Sequence, residues 1–417
     1  VDLAGWNPDV MKRIEGITYT DAKNIPWAAL NANAHAAGFA SSNFTGVDLA
    51  AWNPGTTSRI DGVNYSGASN IPWTALNANT HVRGFYSSNF AGVDLANWNP
   101  RTESRIDSIN YTNAVNLPWA ALNENTHISG FQSSNFTGVN LAGWDPRATT
   151  PIFGIYYTNA TGIPWDALNV NARGFASVNF TGVNLSEWNP GATTAIAGVN
   201  YTNTSGIPWA ELNANTYATG FIISDFTGVN LADWSPGATV AVAGINFSKA
   251  TNIPWSALNA NTHANGFEYT NFTGLDLEAW SPGSTSRISN INYTNATNLP
   301  WGALNANTQA SGFASSNFTG VNLTCWNPTA TSRIDGVNYT NATEIPWAAI
   351  NSNTAAQGFQ ESNFTGVDLT GFNPSGKSMG RAIMPKGANN KTDFQEAIGL
   401  VPAKGTTWVD FSFPWGR

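Results

Sequence analysis

The chain is short of nearly everything that usually carries chemistry. Cys325 is its single cysteine among 417 residues, which excludes an intrachain disulfide and a thiolate metal cluster and leaves the redox compartment open. Charged residues make up 11% of the chain against roughly 25% in an average globular protein, so the surface must be neutral and polar. Lys and Arg number 18 and Asp and Glu 26, a net charge of -8 with a pI near 4.9, and the basic clusters that grip nucleic acid or anionic lipid are missing. No apolar run approaches the ~18 residues of a bilayer span. With Val1 as first residue, any secretory signal peptide is expected to have gone already. Neither a Ser-His-Asp constellation, a phosphate loop nor a nucleotide fingerprint occurs, so no enzyme, cofactor or metal site is expected.

What the chain does have is Trp, evenly spaced. One set stands at 6, 52, 98, 144, 188, 234, 280 and 326 in a [WF]-x-P setting, closed by Phe372; a second stands at 27, 73, 119, 165, 209, 255, 301 and 347 in [IL]-P-W. Every step in the first set is 46 residues except that from Trp144 to Trp188, which is 44. Such self-similarity is the mark of a solenoid or propeller and overrides the length prior of two or three domains. A tandem-repeat body over 1–374 is expected, followed by a different segment, 375–417, acting as a tail or cap.

Within the unit Gly46 to Ala91, two halves are related: Asn64-Tyr65 leads to Trp73 as Asn89-Phe90 leads to Trp98. Aromatic positions alternate by 21 and 25 residues, apart from 23 between Tyr157 and Phe180, so each repeat reads as two coils. Apolar residues recur near every fifth position (Ile60, Tyr65, Phe85, Phe90, Leu95), a period that belongs neither to a helix nor to a long alternating strand. Ser42-Asn43-Phe44-Thr45-Gly46 with Val47-Asp48-Leu49-Ala50-Ala51 resembles the pentapeptide-repeat family, as do the decapeptides at Val178 to Glu187 and Ser316 to Cys325. The resemblance implies a right-handed, four-sided β-solenoid with Phe44, Leu49, Phe318 and Leu323 inside and the Asn or Asp outside. It covers two to three pentapeptides per repeat, and coils of 21 and 25 residues depart from the family's 20.

The expected fold is therefore all-β: a β-solenoid of eight repeats of two coils each, with aromatic columns at its core. At about 4.8 Å per coil, sixteen coils make a rod of roughly 77 Å. The alternative is an α/β solenoid with one short helix per repeat at the I-P-W-x-A-L segment. From Asn24 to Gly38 that segment offers an N-cap, a Pro near the first turn, helix formers and a terminal Gly. Against the helix stands Asn-x-Asn after each Leu, or after Ile350 in the last repeat, since stacked Asn side chains can bond up a ladder.

Nineteen Asn-x-Ser/Thr sequons occur. A repeat spelling N-F-T produces them by default, yet an outward Asn in a secreted chain is a glycan acceptor. The candidates are Asn43, Asn64, Asn110, Asn135, Asn159, Asn179, Asn200, Asn246, Asn271, Asn292, Asn317, Asn338 and Asn363. His35, His81, His127 and His263 share one repeat position but would lie about 10 Å apart, too far to share a metal ion. Arg13, Arg59, Arg105, Arg287 and Arg333 precede an inward Ile, and Asp61, Asp107 and Asp335 follow it, which suggests pairing along an edge or a lateral contact between rods. Asp and Asn interchange in V-[DN]-L (Asp48, Asp94, Asn140, Asn184), and a general acid or base cannot be replaced by an amide.

Val1-Asp2-Leu3 begins within a coil, whereas Trp408 to Trp415 alternates apolar residues like a strand. Val1, Leu3, Trp6, Trp408, Phe411, Phe413 and Trp415 are accordingly the assembly candidates, the tail of one copy covering the open coil of the next. The expected function is a non-enzymatic structural subunit of an extracellular or cell-surface filament, joined head to tail with copies of itself and N-glycosylated, with no nucleic-acid partner and no membrane span. An adhesin or carbohydrate-binding rod is the alternative. The DNA mimicry that the family resemblance implies fares worse, because a mimic ~77 Å long would present roughly 45 negative charges and the chain has 26, offset by 18 positive ones.

Overall fold

Tight turns closed by a left-handed residue decide the local structure. In the computed structural model, which describes residues 1–147, 150–171, 174–373 and 377–384, the Val47 N–H donates to the Phe44 carbonyl at 3.0 Å across Gly46, whose φ is 69°. That is a type II turn, which demands a residue content with positive φ at its third place. Asp21, Asn113, Asn159, Asn295 and Asn341 fill the same role in neighbouring turns, with φ between 51° and 54°. Asn and Asp tolerate this region better than other side chains, which is one reason the sequence is so rich in Asn.

Between such turns only a residue or two is extended, so contact with the neighbouring turn of chain is an isolated parallel bridge. Asn43 pairs with Asn64, Asn64 with Asn89 and Asn89 with Asn110; a second line links Asp48 to Ser69 and Asp94 to Val115. Along the first line the register alternates between 21 and 25 residues, in step with the aromatic positions, apart from 23 between Tyr156 and Asn179 and 20 between Asn363 and Ile383. Here the all-β expectation fails. No sheet forms among the described residues, and the β-solenoid is replaced by a repeat architecture of turns, single bridges and short helices. A chain that bends again within five residues cannot run the consecutive ladder bonds a sheet needs.

The helices sit at the eight [IL]-P-W segments: α1 (Trp27–Asn31), α2 (Trp73–Asn77), α3 (Trp119–Asn123), α4 (Trp165–Asn169), α5 (Trp209–Asn213), α6 (Trp255–Asn259), α7 (Trp301–Asn305) and α8 (Trp347–Asn351). The I-P-W-x-A-L segment is thus helical in every repeat, but for one turn and a half rather than out to Gly38. Pro26, not Asn24, is the N-cap of α1. Asn24 lies in the left-handed region, with φ 52°, and gives its Nδ2 to the Asp2 carboxylate at 3.0 Å.

Each helix ends where the Asn-x-Asn pair leaves it to hold adjacent turns. Asn31 reaches forward: its Nδ2 donates to the Ala51 carbonyl at 2.8 Å and its Oδ1 accepts the Asn53 N–H at 2.8 Å, bracketing Trp52. Asn33 reaches back, donating to the Lys12 carbonyl at 2.8 Å and accepting from the His35 N–H. Asn305 and Asn307 repeat both contacts in the second half of the chain. In place of the expected ladder of Asn-x-Asn side chains bonded to one another, the carboxamides of Asn31, Asn33, Asn305 and Asn307 bond backbone. Equivalent Asn residues lie two turns apart, about 10 Å, so each carboxamide finds the backbone of the turn between.

The chain divides into two compact units, Val1–Glu211 and Leu212–Arg417. Each has an aromatic core. In the first, Tyr65 stacks on Phe90 at 5.0 Å, Phe90 meets Trp98 at 5.1 Å, and Phe85 meets the same indole edge-on at 5.2 Å. In the second, Tyr293 stacks on Phe318 at 5.0 Å and Phe313 meets Trp326 edge-on at 5.4 Å. Phe44, Leu49, Phe318 and Leu323 are fully buried, as are the Ile residues that follow the Arg positions. The first Trp set is mostly core, with Trp52, Trp98, Trp144, Trp188, Trp234, Trp280 and Trp326 buried and Trp6 half-buried; in the second set Trp165 and Trp347 are buried, whereas Trp27, Trp73, Trp119, Trp209, Trp255 and Trp301 are half-buried. Residues 377–384 add one further turn in the second unit, where Ile383 bridges to Asn363 and Met384 is buried where other turns place an aromatic ring.

The core contains two kinds of buried polar group, and thermal melts should separate them. Asn79 is 4% exposed and makes two backbone contacts, so Asn79→Ala should cost about 1–3 kcal/mol. The Tyr65 hydroxyl is buried with no hydrogen-bond partner, and Phe247 occupies the equivalent place in another repeat. Tyr65→Phe should therefore leave the melting temperature unchanged or raise it; a fall as large as that of Asn79→Ala would contradict this account.

Candidate binding surface

The sequon asparagines occupy the bridge positions and form one continuous row within each unit. Asn43, Asn64, Asn110, Asn135, Asn179 and Asn200 lie in the first unit, and Asn246, Asn271, Asn292, Asn317, Asn338 and Asn363 in the second; all are half-buried. Each Oδ1 accepts the N–H two residues on, and often the Thr hydroxyl as well, as Asn317 does with Thr319 at 3.0 and 2.6 Å. Asn159 stands apart, exposed in a left-handed turn. A glycan leaves from Nδ2, and in Asn64, Asn246 and Asn271 that nitrogen already donates to the neighbouring rung. Rungs one turn apart are separated by about 4.8 Å, so two adjacent rungs cannot both carry an oligosaccharide.

A second face carries the Arg positions. The guanidinium of Arg59 grips Asp61 through Nε at 3.0 Å and Nη2 at 2.9 Å, and Arg105 with Asp107 and Arg333 with Asp335 repeat the fork. Asp61 and Asp107 are only 5% and 4% exposed. The neighbouring carboxylate raises the pKa of Arg59. Arg13 pairs with Glu15, and Arg287, followed by Ser289 instead of Asp, turns back to Glu268 at 3.1 Å. This edge offers neutralised pairs rather than free charge, which weakens it as a charged lateral contact.

The Asp and Asn of V-[DN]-L need only an acceptor. Asp48 takes the Ala50 N–H at 3.0 Å and the Asn70 side chain at 3.0 Å through one oxygen, and Asn230 does the same with Ala232 and Asn252. An amide oxygen serves as well as a carboxylate oxygen, hence the interchange. In Asp2, Asp48, Asp94 and Asp368 the backbone N–H bond, helped by a neighbouring side chain, holds the carboxyl below its ordinary range. The His position is equally local. His81 and His127 each accept a backbone N–H two residues on at 3.2 Å, and burial lowers their pKa values. Among the described residues no group of three or more His, Cys, Asp or Glu could hold a metal ion, and no helix is long and apolar enough to cross a membrane.

Two of the half-buried Trp residues border open grooves. One, of ≈ 580 Å³, lies beside Trp119 with Asn113, Asn116 and Asn140; another, of ≈ 620 Å³, lies beside Trp301 with Asn298, Asn322 and Cys325. Of the assembly candidates, Val1 is 85% exposed, Leu3 and Trp6 are half-buried, and Trp6 reaches Tyr19 at 6.1 Å; Asp2 bridges to Lys23, so this stretch is already stacked on the next turn. Trp408, Phe411, Phe413 and Trp415 lie outside the described residues. The sequence reading overlooked Ile223 and Tyr269, which are 69% and 64% exposed. The signal was present: in the S-S-N-F segment they stand where Ser41, Ser87, Ser133, Ser177 and Ser315 stand in other repeats.

None of the protein-family models and none of the curated proteins compared with this chain matches it, so no pentapeptide-repeat family is identified.

Because the Asp carboxyls are depressed in the folded chain, their contribution is whole above the unfolded carboxylate pKa and is lost as pH falls through the folded value. The melting temperature should fall below about pH 4. Asp48→Asn with Asp94→Asn should keep the neutral-pH melting temperature and show a smaller acid loss than the parent; equal losses would remove these two residues from the explanation.

Proposed function

We propose that the chain is a non-enzymatic structural subunit of an extracellular or cell-surface filament built from copies of itself. The observation that carries this reading is the Asn-x-Asn clamp. Across the repeats the most recurrent polar side chains bond backbone in adjacent turns, and the Arg and Asp of the edge bond one another. Side chains engaged in this way hold shape rather than turn over substrate. The neutral, Asn-rich exterior suits close lateral or end-on packing of copies, which strong net charge would oppose. Scattered glycans on the Asn row are compatible with it. A duplex-DNA mimic is disfavoured further, since Asp61, Asp107 and Asp335 are each neutralised by an Arg. Electron microscopy of the full chain should show filaments many chain lengths long; particles of one uniform size at every concentration would defeat the proposal.

The grooves beside Trp119 and Trp301 favour a second reading, a carbohydrate-binding surface. An indole edge flanked by carboxamides matches the mixed apolar and hydrogen-bonding character of a sugar ring. Soluble oligosaccharides should then shift the fluorescence of the half-buried Trp set and protect it from an aqueous quencher. Quenching that is indifferent to every oligosaccharide tried would dismiss this reading.

A further inference from the structure

In the unit Leu212–Arg417 two large apolar side chains interrupt the repeat on its surface, at a turn position that carries Glu361 in the last repeat. The third residue of the turn Phe221-Ile222-Ile223-Ser224, closed by a 3.0 Å bond from the Ser224 N–H to the Phe221 carbonyl, must adopt positive φ. Ser does so in five other repeats. Here it is Ile223, with φ 60°, and in the next repeat Tyr269, with φ 64°. A β-branched residue in this region is a true outlier and carries backbone strain. Strain of this kind persists where something other than local stability maintains it.

Both side chains are turned outward. Ile223 donates its N–H to the Ala243 carbonyl, Gly244 donates to Glu268, and Tyr269 donates to Ser289, so the three turns lie side by side. Gly244 stands between the two large residues and has no side chain to fill the gap; a Cβ there would sit 3.2 Å from Ile223 Cγ1. The result is an open apolar groove of ≈ 570 Å³, walled by Ile222, Ile223 and Tyr269 and floored by Ala243 and Gly244. The Arg and Asp of other repeats are absent here, replaced by Ala241 and Ala243. Glu268 at the rim is held by Arg287 at 3.1 Å and by the Ser289 hydroxyl at 2.9 Å.

Seven residues line the groove, far fewer than the roughly 20–30 a side of a stable free-standing complex. It suits a short apolar segment tethered to the same molecule, for which the effective concentration reaches the millimolar range and a small contact suffices. The chain has one such segment. Val409, Phe411, Phe413 and Trp415 alternate with Asp410, Ser412 and Pro414, giving one apolar edge, and Arg417 follows with a charge opposite to that of Glu268. Tyr269 lies five turns from that of Met384, about 24 Å. The roughly two dozen residues leading to Trp408 reach up to ~80 Å when extended.

We propose that the groove formed by Ile222, Ile223 and Tyr269 is the docking site for the Trp408 to Trp415 segment of its own chain. This differs from the head-to-tail connector expected from sequence, and it holds whether or not the protein forms filaments. Hydrogen exchange of the full chain, followed by mass spectrometry, tests it. Peptides covering Trp408 to Trp415 should exchange about tenfold or more slowly than in the double variant Ile223→Ser/Tyr269→Ser, which restores the residue other repeats carry. Protection at Asn292 to Asn363 should be unchanged in that variant, as the control for folding. The reciprocal variant Phe411→Ser/Phe413→Ser leaves the repeats untouched and should speed exchange at 221–224 and 267–270. Equal tail exchange in parent and variants would overturn the proposal, as would tail protection that rises with protein concentration, which would assign the groove to another copy.

Discussion

The structure depends on side-chain carboxamides that do the work of backbone. Each turn of chain meets its neighbour through isolated bridges, and a bridge contributes only a bond or two where a sheet would contribute a ladder. Asn31 and its equivalents supply the missing connections, offering one donor and one acceptor to the two peptide groups that flank a buried Trp. Asn33 and its equivalents anchor the same segment to the turn before. The indole of Trp52 is thereby fixed between two turns, and its ring contacts with Phe39 and Phe44 follow from that placement. Without the clamp the aromatic core would have no rigid wall.

The same economy explains the surface. Polar groups that would ordinarily face solvent alone are tied to a neighbour two residues or one turn away: Thr hydroxyls to Asn, Arg to Asp, Asp to backbone N–H. What remains outside is sparsely charged and repetitive. Against this background a break in the pattern stands out, and the break at Ile223 and Tyr269 combines exposure, apolar character and backbone strain in one place.

Much of this was legible in the residues. The Trp spacing announced eight repeats, the alternation of 21 and 25 residues matched the register of the bridges, and the positions of Phe44, Leu49, Phe318 and Leu323 within their pentapeptides marked them as core. The pairing of Arg59 with Asp61 followed from their spacing about an inward Ile. Other features were misread for physical reasons. The all-β expectation rested on the resemblance of the pentapeptides to a β-solenoid family, yet the left-handed residue at Gly46 or Asn113 bends the chain before a second bridge can form. Asn24 resembled an N-cap by position, but its carboxamide is drawn off by Asp2 in a turn that lies far away in sequence. Sequence does not rank the two Trp sets by burial; only the packing shows that the first is mostly enclosed while Trp119 and Trp301 of the second border grooves.

Sequence by itself determined the repeat, its two-turn subdivision and the identity of most core positions, because these depend on periodicity and on which side chains water rejects. Tertiary structure alone decided whether those turns join into a sheet, which backbone groups each Asn serves, and where the surface is left apolar. Such outcomes are settled by contacts between residues some twenty positions apart, brought together only when one turn of chain lies on the next.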